Sequence, residues 1–159
     1  MKQVFRISIL VSAIVFLFSS AATSGEEEVL QALETVKTRA KEGISPEALA
    51  ALLDEAKIQI DALEQDDIPD DCFGFAVRRC HYWYNSARMS RDTMIKNQER
   101  RDECDRKAIF GEDHMKATYA TMVVNYEKLL RHTYEALPTK WAYGNAALER
   151  AHQCLREKD

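Results

Sequence analysis

The chain has 159 residues, 46% of them hydrophobic and 30% charged, with 5 glycines, 3 prolines, 4 cysteines and a formal net charge of −4. That balance excludes a disordered chain and a low-complexity fibre, and the scarcity of glycine and proline leaves long unbroken segments that favour helices. The length suits one domain. The charge is unevenly spread: residues 25–71 carry fourteen acids and four bases, residues 72–159 twelve acids and sixteen bases. A polyanion-binding protein would not set so much acid beside its basic face, so the two halves are expected to attract each other within the fold, and nucleic acid is not an expected partner.

Residues 1–24 read as a cleaved secretory signal. Lys2 and Arg6 form a basic start, Ile7 to Phe18 an apolar run, and Ser19 to Gly25 an exit of small residues. The run is shorter than the roughly 20 residues a bilayer span needs, so no stable membrane insertion is expected after cleavage. The predicted location is periplasmic or secreted.

Residues 25–65 form the next unit, an acidic helical hairpin. Val29, Leu33, Val36 and Ala40 fall on one helix face behind the acidic start Glu26-Glu27-Glu28, and Gly43 supplies the stop. Ser45 is the next N-cap, Pro46 fits the first helical position, and Leu49, Leu52, Leu53, Ala56, Ile60 and Leu63 continue a seam close to a heptad. Residues 66–71, Asp-Asp-Ile-Pro-Asp-Asp, read as a linker.

Residues 72–159 form a cysteine-containing helical unit packed on the hairpin. Phe73, Val77, Cys80, Tyr84 and Ala87 make a buried stripe that Met94 extends, and from Lys96 to Lys107 the segment is a solvated helix interrupted only by Cys104. A turn at Gly111 precedes a helix with Met115, Tyr119, Met122, Tyr126, Leu129, Thr133 and Leu137 on one face. Pro138 is expected to close it, and a last helix to run from Thr139 through Trp141, Leu148, Ala151 and Leu155. The fold class is all-α: a bundle of four or five helices, with an N-terminal antiparallel helical hairpin and a disulfide-tied C-terminal unit.

Export turns an even count of four cysteines into an expected pair of disulfides. On one straight helix, Cys72 and Cys80 would lie about 12 Å apart and Cys80 and Cys104 about 36 Å, beyond the reach of such a bond. Two bonds therefore demand a break in the helix. The preferred pairing joins Cys72 with Cys80 across a non-helical start and Cys104 with Cys154; the alternative bends the segment near Ser90, joining Cys80 with Cys104 and Cys72 with Cys154.

No Gly-rich phosphate loop, Gly-x-Ser-x-Gly elbow or His-Glu-x-x-His pair occurs, so the chain is read as non-catalytic. Cys80-His81 and His152-x-Cys154 diverge around a helix and chelate poorly, and no metal is assigned. A haem- or metal-binding bundle is a further alternative, with Met115 or Met122 and His81, His114 or His132 as ligands, although methionine on a helical stripe is usually core filler. No cofactor is assigned. The chief candidate for a partner surface is Tyr82 and Trp83 beside Arg78, Arg79 and Arg88, a composition typical of protein-binding hot spots; in the bland reading Trp83 packs on the acidic hairpin.

Lys96-Asn97-Gln98-Glu99 to Cys104, then Asn125-Tyr126-x-x-Leu129-Leu130 and a late Cys154, resembles the small cysteine-bearing helical domains of the LprI type, some of which inhibit lysozyme. The likeness spans about half the chain after the leader and lacks an aromatic residue shortly before the last cysteine. It implies an exported inhibitor module as an alternative. The leading expectation is an exported, non-catalytic protein-binding or envelope-accessory module whose partner and oligomeric state the sequence leaves open.

Overall fold

The computed structural model describes residues 25–65 and 72–158. The proposed leader (1–24) and linker (66–71) lie outside the described residues. Four helices follow one another: α1 (Gly25–Lys41), α2 (Pro46–Gln65), α3 (Cys72–Phe110) and α4 (Asp113–Arg156). No strand occurs among the described residues.

The short hairpin forms where the sequence says it should. Glu26, Glu27 and Glu28 occupy the first turn of α1 and Arg39 and Lys41 the last, each sign set against the favourable end of the helix dipole. Gly43 takes φ +77°, and the Gly43 and Ile44 amides donate back to the Ala40 and Arg39 carbonyls. That is a Schellman ending, and its left-handed residue is cheapest as glycine. Ser45 then caps α2: its Oγ accepts from the Ala48 amide at 3.2 Å, with Pro46 as the first helical residue.

α3 and α4 form a second, much longer antiparallel hairpin that keeps one register from end to end. Cys72 meets Cys154, Tyr84 meets Asn145, Arg101 meets Glu127, and Lys107 lies over the Tyr119 ring. The short hairpin packs along the base of the long one. α1 runs beside the end of α4, tied by Lys158 to Glu26 at 2.6 Å and His152 to Glu34 at 3.1 Å, while His81 on α3 bonds the Leu53 carbonyl of α2 at 3.0 Å. Val29, Leu33 and Val36 from α1, Leu49, Leu53 and Ile60 from α2, Phe73, Val77, Cys80 and Tyr84 from α3, and Leu148 and Ala151 from α4 close the core.

Beyond this base the long hairpin continues as a two-helix arm. Between residues 88 and 143 the one buried residue is a polar one, Asn97, 5% exposed and with its Nδ2 unpartnered. The arm therefore has no core of its own. From residue 91 to residue 110 it extends about 30 Å along α3.

Two expectations need correction. A separate last helix does not form: α4 runs unbroken through Pro138. Proline there removes a single hydrogen bond, the one its N–H would have made to the Tyr134 carbonyl. The heptad row Thr133, Leu137, Lys140 and Gly144 continues across it, and Lys140 Nζ reaches Ser90 Oγ at 2.6 Å, so packing on α3 holds the helix through the defect.

The preferred cysteine pairing also differs from what is found. α3 is a continuous helix with Cys72 in its first turn, which keeps Cys72 about 12 Å from Cys80. Cys72 is instead bonded to Cys154, across a Cα separation of 5.7 Å. Cys80 and Cys104 are free, and no bend occurs near Ser90, whose Oγ donates to the Ser86 carbonyl within the unbroken helix. Cys104 consequently pins nothing, and half of the alternative pairing is present without the other half.

Tyr84 and Gly144 set the closest approach of the long helices. A Cβ built on Gly144 would overlap the Tyr84 ring, and the ring is held by Tyr84 Oη donating to Asn145 Oδ1 at 2.8 Å and by Trp141 at 5.1 Å. Gly144→Ala should therefore lower the stability measured by urea denaturation, overpacking of about 1–3 kcal/mol outweighing a gain in helix propensity of about 1 kcal/mol. In a Tyr84→Ala background the same substitution should stabilise instead, and failure of the sign to change would refute the close-approach account.

A candidate partner surface on the open side of the long hairpin

On α3, Phe75, Arg79, Tyr82 and Met89 recur at spacings of four, three and seven residues and are exposed, whereas the hairpin-facing side carries His81 and the buried residues. Tyr82 is 62% exposed. From α4, the antiparallel register brings Tyr143 and Arg150 to the same side. Trp83 is half-buried between the two helices: its ring lies 4.8 Å from Tyr143 and meets Tyr82 edge-on at 5.2 Å. Phe75, Arg79, Tyr143 and Arg150, with Ala146 and Ala147 at the floor, line a groove of about 190 Å³. The result is a row of aromatic rings flanked by two guanidinium groups.

Of the five residues proposed from the sequence, Arg79, Tyr82 and Trp83 come together here. Arg88 does not. It pairs with Asp92 at 2.8 Å and Asn85 at 3.1 Å, and lines a separate groove of about 370 Å³ against the start of α2, where Glu47, Asp92 and Glu99 offset the charges of Arg88 and Lys96. Arg78 is half-buried and has an interaction of its own. Trp83 packs on α4 and not on the acidic hairpin. Phe75, Tyr143 and Arg150 were missed from the sequence. Phe75 carried a signal, one helical turn before Arg79 and two before Tyr82; Tyr143 and Arg150 required the register of α4 on α3, which no local pattern states.

The other sequence candidates are dispersed. His81 is tied to Leu53, and burial holds its imidazole below the ordinary value, against the hydrogen bond to that carbonyl. His114 and His132 lie exposed on the arm, Met115 near its tip. Among the described residues no group of three or more His, Cys, Asp or Glu is placed to hold a metal ion, and no helix is long and apolar enough to cross a membrane. Where α1 meets α4, burial works to raise the Glu34 carboxyl, but the hydrogen bonds from His152 and Lys37 leave it below its usual range.

Comparison with known proteins adds no identity: no family model, curated protein or solved structure matches the chain.

The two free thiols are not equivalent. Burial pushes the Cys80 thiol up to about 12, a hydrogen bond with Tyr84 acting in the other direction, whereas Cys104 is half-exposed on the arm. Because the fold favours the neutral Cys80 thiol, the stability it contributes is whole below 9.0 and is lost as pH rises toward about 12. In the native protein a thiol-specific reagent should label Cys104 alone, also above pH 9.0, and unfolding without reductant should expose one further thiol. Rapid native labelling of Cys80, followed by mass spectrometry, would contradict this.

Proposed function

We propose that the chain is a non-catalytic helical module that works outside the cytoplasm and binds a protein through the open side of the α3–α4 hairpin. The observation that carries this is the groove formed by Phe75, Arg79, Tyr143 and Arg150 next to the edge-to-face pair of Tyr82 and Trp83. Tyrosine, tryptophan and arginine dominate binding hot spots, because large rigid rings bury much area at small entropic cost and guanidinium groups add directional hydrogen bonds. A contiguous exposed aromatic face on a water-soluble helix pair costs free energy unless something covers it. The groups gathered there recognise surfaces; they do not pair a nucleophile with a base. The Cys72–Cys154 bond supports the reading of residues 1–24 as an export leader, since such bonds persist in oxidising compartments.

Photo-crosslinking in cells tests this directly. A benzophenone side chain in place of Tyr82 should give a discrete protein adduct, that adduct should be lost with Phe75→Asp, and the same probe in place of the exposed Ile58 on α2 should give none. Phe75 and Tyr82 are exposed, so neither change should alter the helical circular dichroism. Identical adducts from positions 58 and 82, or none from 82, would overturn the proposal.

A further inference from the structure

We infer that this open side binds an acidic amphipathic helix laid along α4; the inference rests on the protein-binding reading above and names the partner's class. Two helices that pack only on each other need two apolar positions in seven. α4 meets that need with the rows through Tyr126 and Thr133 and through Leu130 and Leu137, all half-buried against α3. It carries a third apolar row as well, Met115, Met122, Leu129, Ala136 and Tyr143, at every seventh residue. Among the described residues three of its five members stay exposed, Met122 at 43%, Leu129 at 44% and Tyr143 at 50%, while Met115 and Ala136 are half-buried. Three apolar positions in seven belong to a helix with neighbours on two sides, and α1 is not the second neighbour of this row, because it meets α4 through Glu149 and His152 and in the core around Leu148 and Ala151. From Met122 to Tyr143 the row is about 32 Å long, the span of a helix of roughly six turns.

Charge selects the occupant. The border of the row is basic, with exposed Arg79 and Arg100 from α3 and Arg150 from α4, and neither Arg79 nor Arg100 forms an ion pair among the described residues. A helix that lays its apolar stripe on the row and carries Glu or Asp at its edges meets both the greasy floor and the basic rim, in the helix-in-groove mode. A second copy of this chain, using the same face, would set these arginines against one another.

Two labelled synthetic helices of about four heptads test it, both with Leu at the core positions, one edged with Glu and the other with Lys. In anisotropy titrations with the purified protein, the Glu helix should bind at least about tenfold more tightly than the Lys helix and lose affinity as salt rises. Leu129→Asp should weaken the Glu helix by about tenfold or more, and Arg79→Glu with Arg100→Glu should reverse the preference. Equal binding of the two helices overturns the charge selection. Binding of neither, with the Tyr82 adduct still formed in cells, overturns the helix partner and leaves the protein-binding reading standing. Loss of the adduct as well overturns both. Self-association in sedimentation equilibrium that Leu129→Asp abolishes would place a second copy on the row and overturn the separate partner.

Discussion

The approach of α3 to α4 is set where the Tyr84 ring meets Gly144, the residue on α4 with no side chain to displace it. With the two backbones close at that level, the heptad rows above and below mesh without a slip, and Cys72 and Cys154 arrive within bonding reach at the open end. The same register puts Tyr143 beside Trp83, so the proposed partner surface is a product of the core contact and not a separate feature. Tyr84 also carries a polar contact at the edge of the core: its hydroxyl donates to Asn145, while burial keeps the nearby Cys80 thiol protonated.

Attraction between an acidic front half and a basic back half is a weak part of what holds the molecule. Cross-hairpin ion pairs among the described residues are partly or largely exposed, such as Glu26 with Lys158, Glu34 with His152, and Lys37 with Glu149 at 3.9 Å. Pairs of that kind contribute up to about 1 kcal/mol each and less in salt. Leu33, Leu53, Phe73 and Leu148 are fully or almost fully buried, and burying side chains of this size contributes roughly 1.5–3 kcal/mol each. Apolar burial therefore binds the short hairpin to the long one, and the charges orient it.

Much of the architecture was legible because it is local. Gly43, Ser45 and Pro46 each act through backbone geometry within a few residues, and the stripe from Phe73 to Ala87 is a simple periodicity, so both the short hairpin and the base of α3 follow from the chain read in order. Pro138 misled for the same reason: its local cost is real, yet a seam that spans both long helices outweighs it. The cysteines failed differently. The premise that four thiols make two bonds forced a break into a segment whose composition holds none, and the straight helix leaves Cys80 and Cys104 free. At the proposed partner surface, Tyr82 and Trp83 announced themselves by type, while Tyr143 and Arg150 come from the other end of the unit and were invisible without the register.

The disulfide and the Gly111 turn sit at opposite ends of the long hairpin, so the backbone from Cys72 to Cys154 is a covalently closed ring, flattened into two parallel sides. A single cut anywhere in the arm opens that ring without releasing either half. The arm can thus stand out from the base as a thin, coreless projection and be nicked at its tip, while both helices of the hairpin, and the face they jointly present, remain one molecule.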